Sequence, residues 1–282
     1  MRSSASDQLQ APALSRAGWG FIAAAAALVI GFPMLDLIRE VVSAGWSTSA
    51  EVLGSDTVRG PLFNTLWTAT LVTVITVAAA TAIAVATSDS QSRGWVTVVM
   101  VAPLIVPPFV SALSWVAAYA PGGLLDDLSG VSFPWLMGPT GVVMVLVASA
   151  MPIAYLIAAA ALDSRTERDL VRSARISGAS PRVALRTITL PLLRPALIAA
   201  GAITFIMSVN AFGVPAVLGT PARFSTATTR LYQDLVFSAD PAAFDRVLVL
   251  ALFLALCTLV VVAIADIQRR RPIGFRIQPF GP

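Results

Sequence analysis

Six apolar stretches, at residues 18–38, 62–87, 95–120, 139–162, 195–219 and 247–265, organise this 282-residue chain, and no polar half is left over between them. A helix rises about 1.5 Å per residue, so each stretch is long enough to cross about 30 Å of hydrocarbon. Nothing else in the sequence restricts the fold as strongly. In lipid every backbone N–H and C=O must be satisfied within the protein, and helices achieve this segment by segment. The sequence therefore predicts an all-α membrane protein with six transmembrane helices. Composition agrees, with 57% of residues hydrophobic and 12% charged, where a soluble domain is about half apolar and about a quarter charged. One transmembrane domain is expected over 18–266. A polar tail at 1–17, read as disordered, precedes it, and an Arg-rich tail at 267–282 follows. The stretch 18–38 is too long for the h-region of a signal peptide and is read as a retained helix. Pro33, Pro103, Pro107, Pro108, Pro152 and Pro215 fall within or beside the spans and predict kinked helices.

An even number of spans puts both termini on one side, and basic residues favour the cytoplasmic side. The sequence contains no Lys. With the termini inside, fourteen of the nineteen Arg residues fall in cytoplasmic segments and five outside (Arg39, Arg59, Arg223, Arg230 and Arg246). Both termini are therefore expected to be cytoplasmic, and the basic excess reports topology rather than nucleic-acid binding.

The absence of His removes the usual general base and the commonest metal ligand. The only cysteine, Cys257, lies in an apolar run and reads as a packing residue. From 62 to 265 every acid and every Arg falls in a predicted loop or at a helix end. Ion-coupled transporters and intramembrane proteases need ionisable side chains in the membrane interior, so both classes are disfavoured. No GxxxxGK[ST] loop is present to cradle a nucleotide's phosphates. The sequence assigns no catalytic residue, no metal ligand and no cofactor to this chain; if transport is active, another subunit supplies the energy.

The loop 163–194 reads DSRTERDLVRSARISGASPRVALRTITLPLLR. It predicts one helix over 166–177, with Glu167 and Asp169 near its N-terminus, Arg175 near its C-terminus and Gly178 as a left-handed cap. Ser180 and Pro181 supply an N-cap and N1 proline for a second helix to about Leu190, where Pro191 ends or kinks it. By periodicity alone the hairpin suits either an anionic lipid surface or a soluble partner.

The residues of this loop resemble the cytoplasmic signature of binding-protein-dependent ABC importer permeases, E-A-A, three residues, G-A, then I-x-L-P after a fixed gap. Ala174, Gly178, Ala179, Ile188, Leu190 and Pro191 stand at the matching positions, whereas Arg172 and Ser173 replace the Glu and first Ala. The resemblance implies a coupling loop between helices 4 and 5 that docks on an ATP-hydrolysing subunit. Its contacts would come from Glu167, Leu170, Val171, Arg172, Ala174, Arg175, Gly178, Ala179, Leu190 and Pro191, with Leu170, Val171 and Ala174 as the apolar face. It further implies a prokaryotic inner-membrane location, a second permease subunit, two ATPase subunits that bind ATP-Mg, and an extracytoplasmic solute-binding protein. A self-contained channel or secondary transporter and a membrane scaffold subunit are the alternatives.

Past this loop, the run from Ser208 to Gly219 and the segment from Phe224 to Tyr232 look like the subgroup of this family that handles iron(III), polyamines, phosphonates or sulfate-like anions. Gly213 and Pro215 should interrupt the fifth helix, and broken helices expose backbone groups that can line a cavity. Ser208, Asn210, Phe212, Gly213 and Pro215 are the candidate pathway residues. Asn210 could equally tie two helices together by a hydrogen bond.

Overall fold

The computed structural model describes residues 27–270 and, before them, Gly18, Gly20, Phe21, Ala24 and Ala25; the side chains of residues 30, 44, 46–48, 165–168, 269 and 270 lie outside the description. The expected tail at 1–17 and residues 271–282 of the other tail fall outside the described residues, as does part of the expected first span. The described chain is helical: α1 (Phe32–Ala44) after a π-helical turn at Ala27–Gly31, α2 (Trp46–Gly54), α3 (Asp56–Thr87), α4 (Arg93–Val101), α5 (Pro108–Tyr119), α6 (Leu124–Ser129), α7 (Pro139–Leu162), α8 (Arg165–Ile176), α9 (Pro181–Val209), α10 (Ala227–Phe237) and α11 (Ala243–Arg270). Five segments among the described residues are long and apolar enough to cross a membrane: Asp56–Thr87, Pro108–Ser129, Pro139–Leu162, Pro181–Val209 and Ala243–Gln268.

Two expectations are corrected. The span expected at 95–120 is broken in two. The helix of α4 tightens into a 3-10 turn at Ala102–Ile105, Val106 turns extended, and α5 restarts at Pro108. Pro107 disfavours helical backbone at Val106, and neither Pro107 nor Pro108 has an N–H to continue the ladder. The span expected at 195–219 instead runs Pro181–Val209, so the second helix of the loop and the membrane span are one helix. Pro191 does not end it, because a π-helical turn at Leu185–Thr189 lies just before it and Leu190 N–H bonds back five residues to Leu185 O. At the other end, α11 continues to Arg270, four residues into the Arg-rich tail expected from 267.

The middle of the fold is a three-helix layer of α3, α7 and α9. Helix α11 packs on α9, α10 packs on α11 and on α3, and α4 and α5 lie against α7. Ala80 and Ala84 of α3 meet Ala154 and Ala158 of α7 and Ala200 of α9 around the fully buried Tyr155. Small residues let helix backbones approach closely, which is the main attraction available between helices when lipid is as apolar as the side chains. Tyr155 keeps its hydroxyl satisfied at 3.0 Å from Thr97 Oγ1 of α4. Nearer the other end, Val72, Val142, Val145 and Leu218 form a second core around Phe224, and Cys257 packs at the edge of a third with Leu250 and Leu254.

Hydrogen bonds from α3 fix the start of α10. Ala227 N–H donates to Thr65 Oγ1 at 2.8 Å, while that hydroxyl donates to Pro61 O. Asn64 Nδ2 donates to Ser225 O at 2.9 Å. The α10 N-terminus also carries a capping box between Thr226 and Thr229. Thr68, Thr76 and Thr81 of α3 bury hydroxyls that have no partner among the described residues.

Candidate coupling loop and helix break

Helix α8 is bounded by local chemistry. Gly178 has φ +88°, in the region where a Cβ is penalised. Ala179 N–H donates to Ala174 O and Gly178 N–H to Arg175 O, each at 3.0 Å. This is the Schellman pairing, which satisfies two of the carbonyls a helix end leaves free. Two residues on, Val183 N–H donates to Ser180 Oγ at 3.4 Å with Pro181 at the first helical position. Only Ser177, Gly178, Ala179 and Ser180 separate the two capped helices, so the loop has few soft dihedrals.

The apolar face expected on α8 is divided. Leu170 points outward and is exposed, whereas Val171 and Ala174 are half-buried toward the body of the protein. Val171, Arg172, Arg175 and Ile176 line a cavity of about 870 Å³ between α8, the start of α9 and the ends of α3 and α7. Gly178, Leu190 and Pro191 are exposed and Ala179 is half-buried; the side chain of Glu167 lies outside the described residues. Beside the cavity, Arg93 Nη1 donates to Asp163 Oδ1 at 2.8 Å, tying the start of α4 to the end of α7. The signal that sequence reasoning missed here is the continuity of α9, which joins the loop to the span without a hinge at Pro191.

The helix break also forms, at Asn210–Phe212, just before Gly213. Asn210 Nδ2 donates to Ile206 O at 2.9 Å and to Thr258 Oγ1 of α11 at 3.3 Å, so this side chain does tie α9 to α11. The carbonyl of Ala211, freed by the break, accepts from Thr228 Oγ1 of α10 at 2.7 Å. Phe212 is exposed and its ring sits 5.0 Å from that of Tyr232. Ser208 and Pro215 are buried, and Ser208 Oγ donates back to Thr204 O. Of the five candidate pathway residues, Asn210 and Phe212 therefore present accessible side chains, Gly213 is half-buried, and Ser208 and Pro215 shape the backbone.

A cluster unremarked in the sequence lies at the far end of α10. Asp234, 4% exposed, accepts from Arg230 of its own helix and from Arg246 of α11, and Arg246 also reaches Asp240. Burial pushes the Asp234 carboxyl up, but the hydrogen bonds of Arg230 and Arg246 outweigh it and leave the group below the usual carboxylate range. Among the described residues no three His, Cys, Asp or Glu side chains gather to hold a metal ion.

Comparison with known proteins gives one consistent family. The chain is 28% identical over 177 residues to a probable ABC transporter permease protein, y4fN, of Sinorhizobium fredii, covering 60% of this chain and 31% of that protein. It is 26% identical over 242 residues to the thiamine transport system permease protein ThiP of Brucella abortus, covering 83% of this chain and 44% of that protein. A probable molybdenum ABC transporter permease protein of Haloferax volcanii is 28% identical over 189 residues, covering 66% of this chain and 68% of its own length. The chain thus spans less than half the length of the first two relatives. Among solved structures, a bacterial ABC transporter involved in the import of the acidic polysaccharide alginate matches with a TM-score of 0.71 at 18% identity, over 90% of this chain and 96% of the other. The MetNI methionine ABC transporter matches with a TM-score of 0.55 at 17% identity, over 77% and 98% of the two chains. These structures share the fold. The model of the family described as binding-protein-dependent transport system inner membrane component matches residues 77–273, most of the chain, and the protein belongs to that family.

Proposed function

We propose that this chain is a membrane-spanning permease subunit of an ATP-driven ABC importer, forming half of an alternating-access pathway. The observation that carries this reading is mechanical. Helix α8 is capped at Gly178 and joined through Ala179 and Ser180 to a helix that continues unbroken into the membrane as far as Val209. A push on α8 from the cytoplasm is thereby delivered to the break at Asn210–Phe212 by a rigid element, the kind of discrete lever that domain coupling requires. Leu170 and the outward side of α8 offer the contact for an ATPase subunit, with Ala174, Gly178 and Ala179 fixing the pose.

In this reading the first apolar stretch completes six spans, both termini face the cytoplasm as the Arg distribution demands, and the protein sits in a prokaryotic inner membrane. A second permease, identical or homologous, supplies the other half of the pathway. Two ATPase subunits bind ATP-Mg, and a solute-binding protein docks outside. This chain itself binds no cofactor and catalyses no reaction. Asn210 and Phe212, beside Gly213 at the break, are the pathway-facing side chains. The solute is a small polar or charged species such as iron(III), a polyamine, a phosphonate or an inorganic anion; the relatives named for thiamine and molybdenum transport fit that range.

The test is co-purification of the ATPase subunit and solute uptake with Gly178→Asp, which places a side chain on a left-handed backbone, and with residues 166–178 removed. Loss of both association and uptake is expected. Unchanged association and uptake in either variant overturns the assignment.

A further inference from the structure

The cavity under α8 does not end at the loop. Val85 and Leu185, which line it, also line an open groove of about 780 Å³ between α3 and α9. The groove follows α3 from Thr73 to Ala86, a rise of about 20 Å, against about 15 Å for one leaflet of hydrocarbon. Its walls are apolar apart from Thr73 and Thr81, and Thr73 spends its hydroxyl on Ala69 O of its own helix.

The cavity at its end has the opposite character. It sits where α3 and α7 run out, beside Val85 and Leu162, at the depth where a bilayer passes from hydrocarbon to headgroups. Arg172, Arg175 and Arg182 line it, and none of the three has an ion-pair partner among the described residues. The acids on its wall are Asp89 and Asp163, and Asp163 is already engaged by Arg93. The cavity is left with an excess of positive charge, while Leu162 and Leu185 make its inner wall apolar.

We propose that this continuous cavity and groove is a binding site for one anionic phospholipid of the inner leaflet. Its phosphate lies among Arg172, Arg175 and Arg182, and one acyl chain lies along α3 and α9 past Ala82 and Gly201. Guanidinium groups suit a phosphodiester because they present several N–H donors in one plane, and basic pockets at the cytoplasmic ends of transmembrane helices suit acidic headgroups. The site also gives a purpose to the second side of α8, since Leu170 faces out while Val171 and Arg175 face the lipid. The inference rests on the membrane-embedded reading of the helices and is independent of whether an ATPase subunit docks on α8.

The experiment is native mass spectrometry of the purified full-length protein released from nanodiscs containing phosphatidylglycerol and phosphatidylcholine in equal amounts. One retained phosphatidylglycerol is expected, with retention reduced about tenfold in Arg175→Gln/Arg182→Gln. Ala82→Trp is expected to reduce it similarly by filling the groove; Ala82 is exposed, so this variant keeps the fold if the double Arg variant does not. Equal retention of the two lipids, or retention unchanged in Ala82→Trp, overturns the proposal. Displacement of the lipid by 10 mM inorganic phosphate overturns it as well, since that result describes a simple anion pocket. A photo-cross-linking amino acid at position 82 should label lipid in native membranes; exclusive cross-linking to protein would mean that a helix of another subunit fills the groove. Because binding is read on this chain alone, failure leaves the coupling assignment to be judged by its own test.

Discussion

Arg246, in the first turn of α11, donates from Nε and Nη2 to both carboxylate oxygens of Asp234 on α10, at 3.2 and 3.0 Å. Arg230 holds the same two oxygens from its own helix at 2.9 and 2.8 Å. One nearly buried acid is thus shared by two guanidinium groups and joins α10 to α11. Because α10 also holds the break in α9 through Thr228 and the Tyr232–Phe212 ring contact, this clamp fixes the position of the helix that stabilises the candidate pathway.

Removing the acid leaves two cations facing each other with no carboxylate between them. Breaking a buried ion pair from one side costs about 3–5 kcal/mol; Arg230 keeps a quarter of its side chain in solvent, which places Asp234→Ala toward the low end, at about 3 kcal/mol. Thermal unfolding in detergent should show this loss. Arg93→Gln, which removes the more exposed pair with Asp163, should cost about 1 kcal/mol or less.

The same clamp sets a pH dependence. Asp234 and Asp240 both titrate below their ordinary value in the fold, Asp240 because Arg246 and the Ala242 N–H donate to it. A carboxyl whose folded pKa is depressed contributes stability that is complete above the unfolded value of about 4 and is lost as pH falls through the lower folded value. Stability should therefore be flat from neutral pH down to about pH 5 and fall below about pH 4. Asp234→Asn should flatten that acid limb when melting temperature is measured against pH.

Two threonines on α3 should respond in opposite directions to the same substitution. Thr65 accepts the Ala227 N–H, so Thr65→Val leaves a buried donor unpaired at a cost of about 1–3 kcal/mol. Thr76 is fully buried and its hydroxyl has no partner among the described residues, so Thr76→Val removes an unsatisfied group at nearly constant volume and should be neutral or stabilising. Chemical denaturation of both variants beside the parent decides it.

What could be read from the sequence was local. Gly178 and Ser180-Pro181 announced their caps because a Schellman turn and an N-cap are built from residues within a few positions of each other. The interruption near Gly213 was legible for the same reason. Its true position, beginning at Asn210, depends on Thr228 and Thr258, which stand on other helices and carry no mark in the sequence. Of the two outcomes Pro191 allowed, an end or a kink, the end does not occur, because a π-helical turn at Leu185–Thr189 accommodates the missing N–H. Arg230 and Arg246 entered the sequence reading only as outward charges, since the meeting of Arg246 with Asp234 requires α10 and α11 to pack.

The last prediction concerns two glycines on either side of that break. A Cβ on Gly213 would stand 2.9 Å from Phe109 Cβ and 3.0 Å from Phe109 Cδ2, so even alanine forces α5 away from the segment that resumes the helix. Overpacking of this kind costs about 1–3 kcal/mol. A Cβ on Gly201, within α9, would meet Thr73 Cγ2 at 3.7 Å, an ordinary contact. Alanine there gains helix propensity of about 1 kcal/mol and clashes with nothing. Gly213→Ala should lower the melting temperature and Gly201→Ala should hold or raise it. The two differ further in uptake by the assembled importer: Gly213→Ala displaces Phe109 at the end of the break and should reduce transport, whereas Gly201→Ala leaves the break untouched and should transport normally. Equal effects of the two substitutions on stability and uptake would show that the contact between Gly213 and Phe109 does not set the geometry of the break.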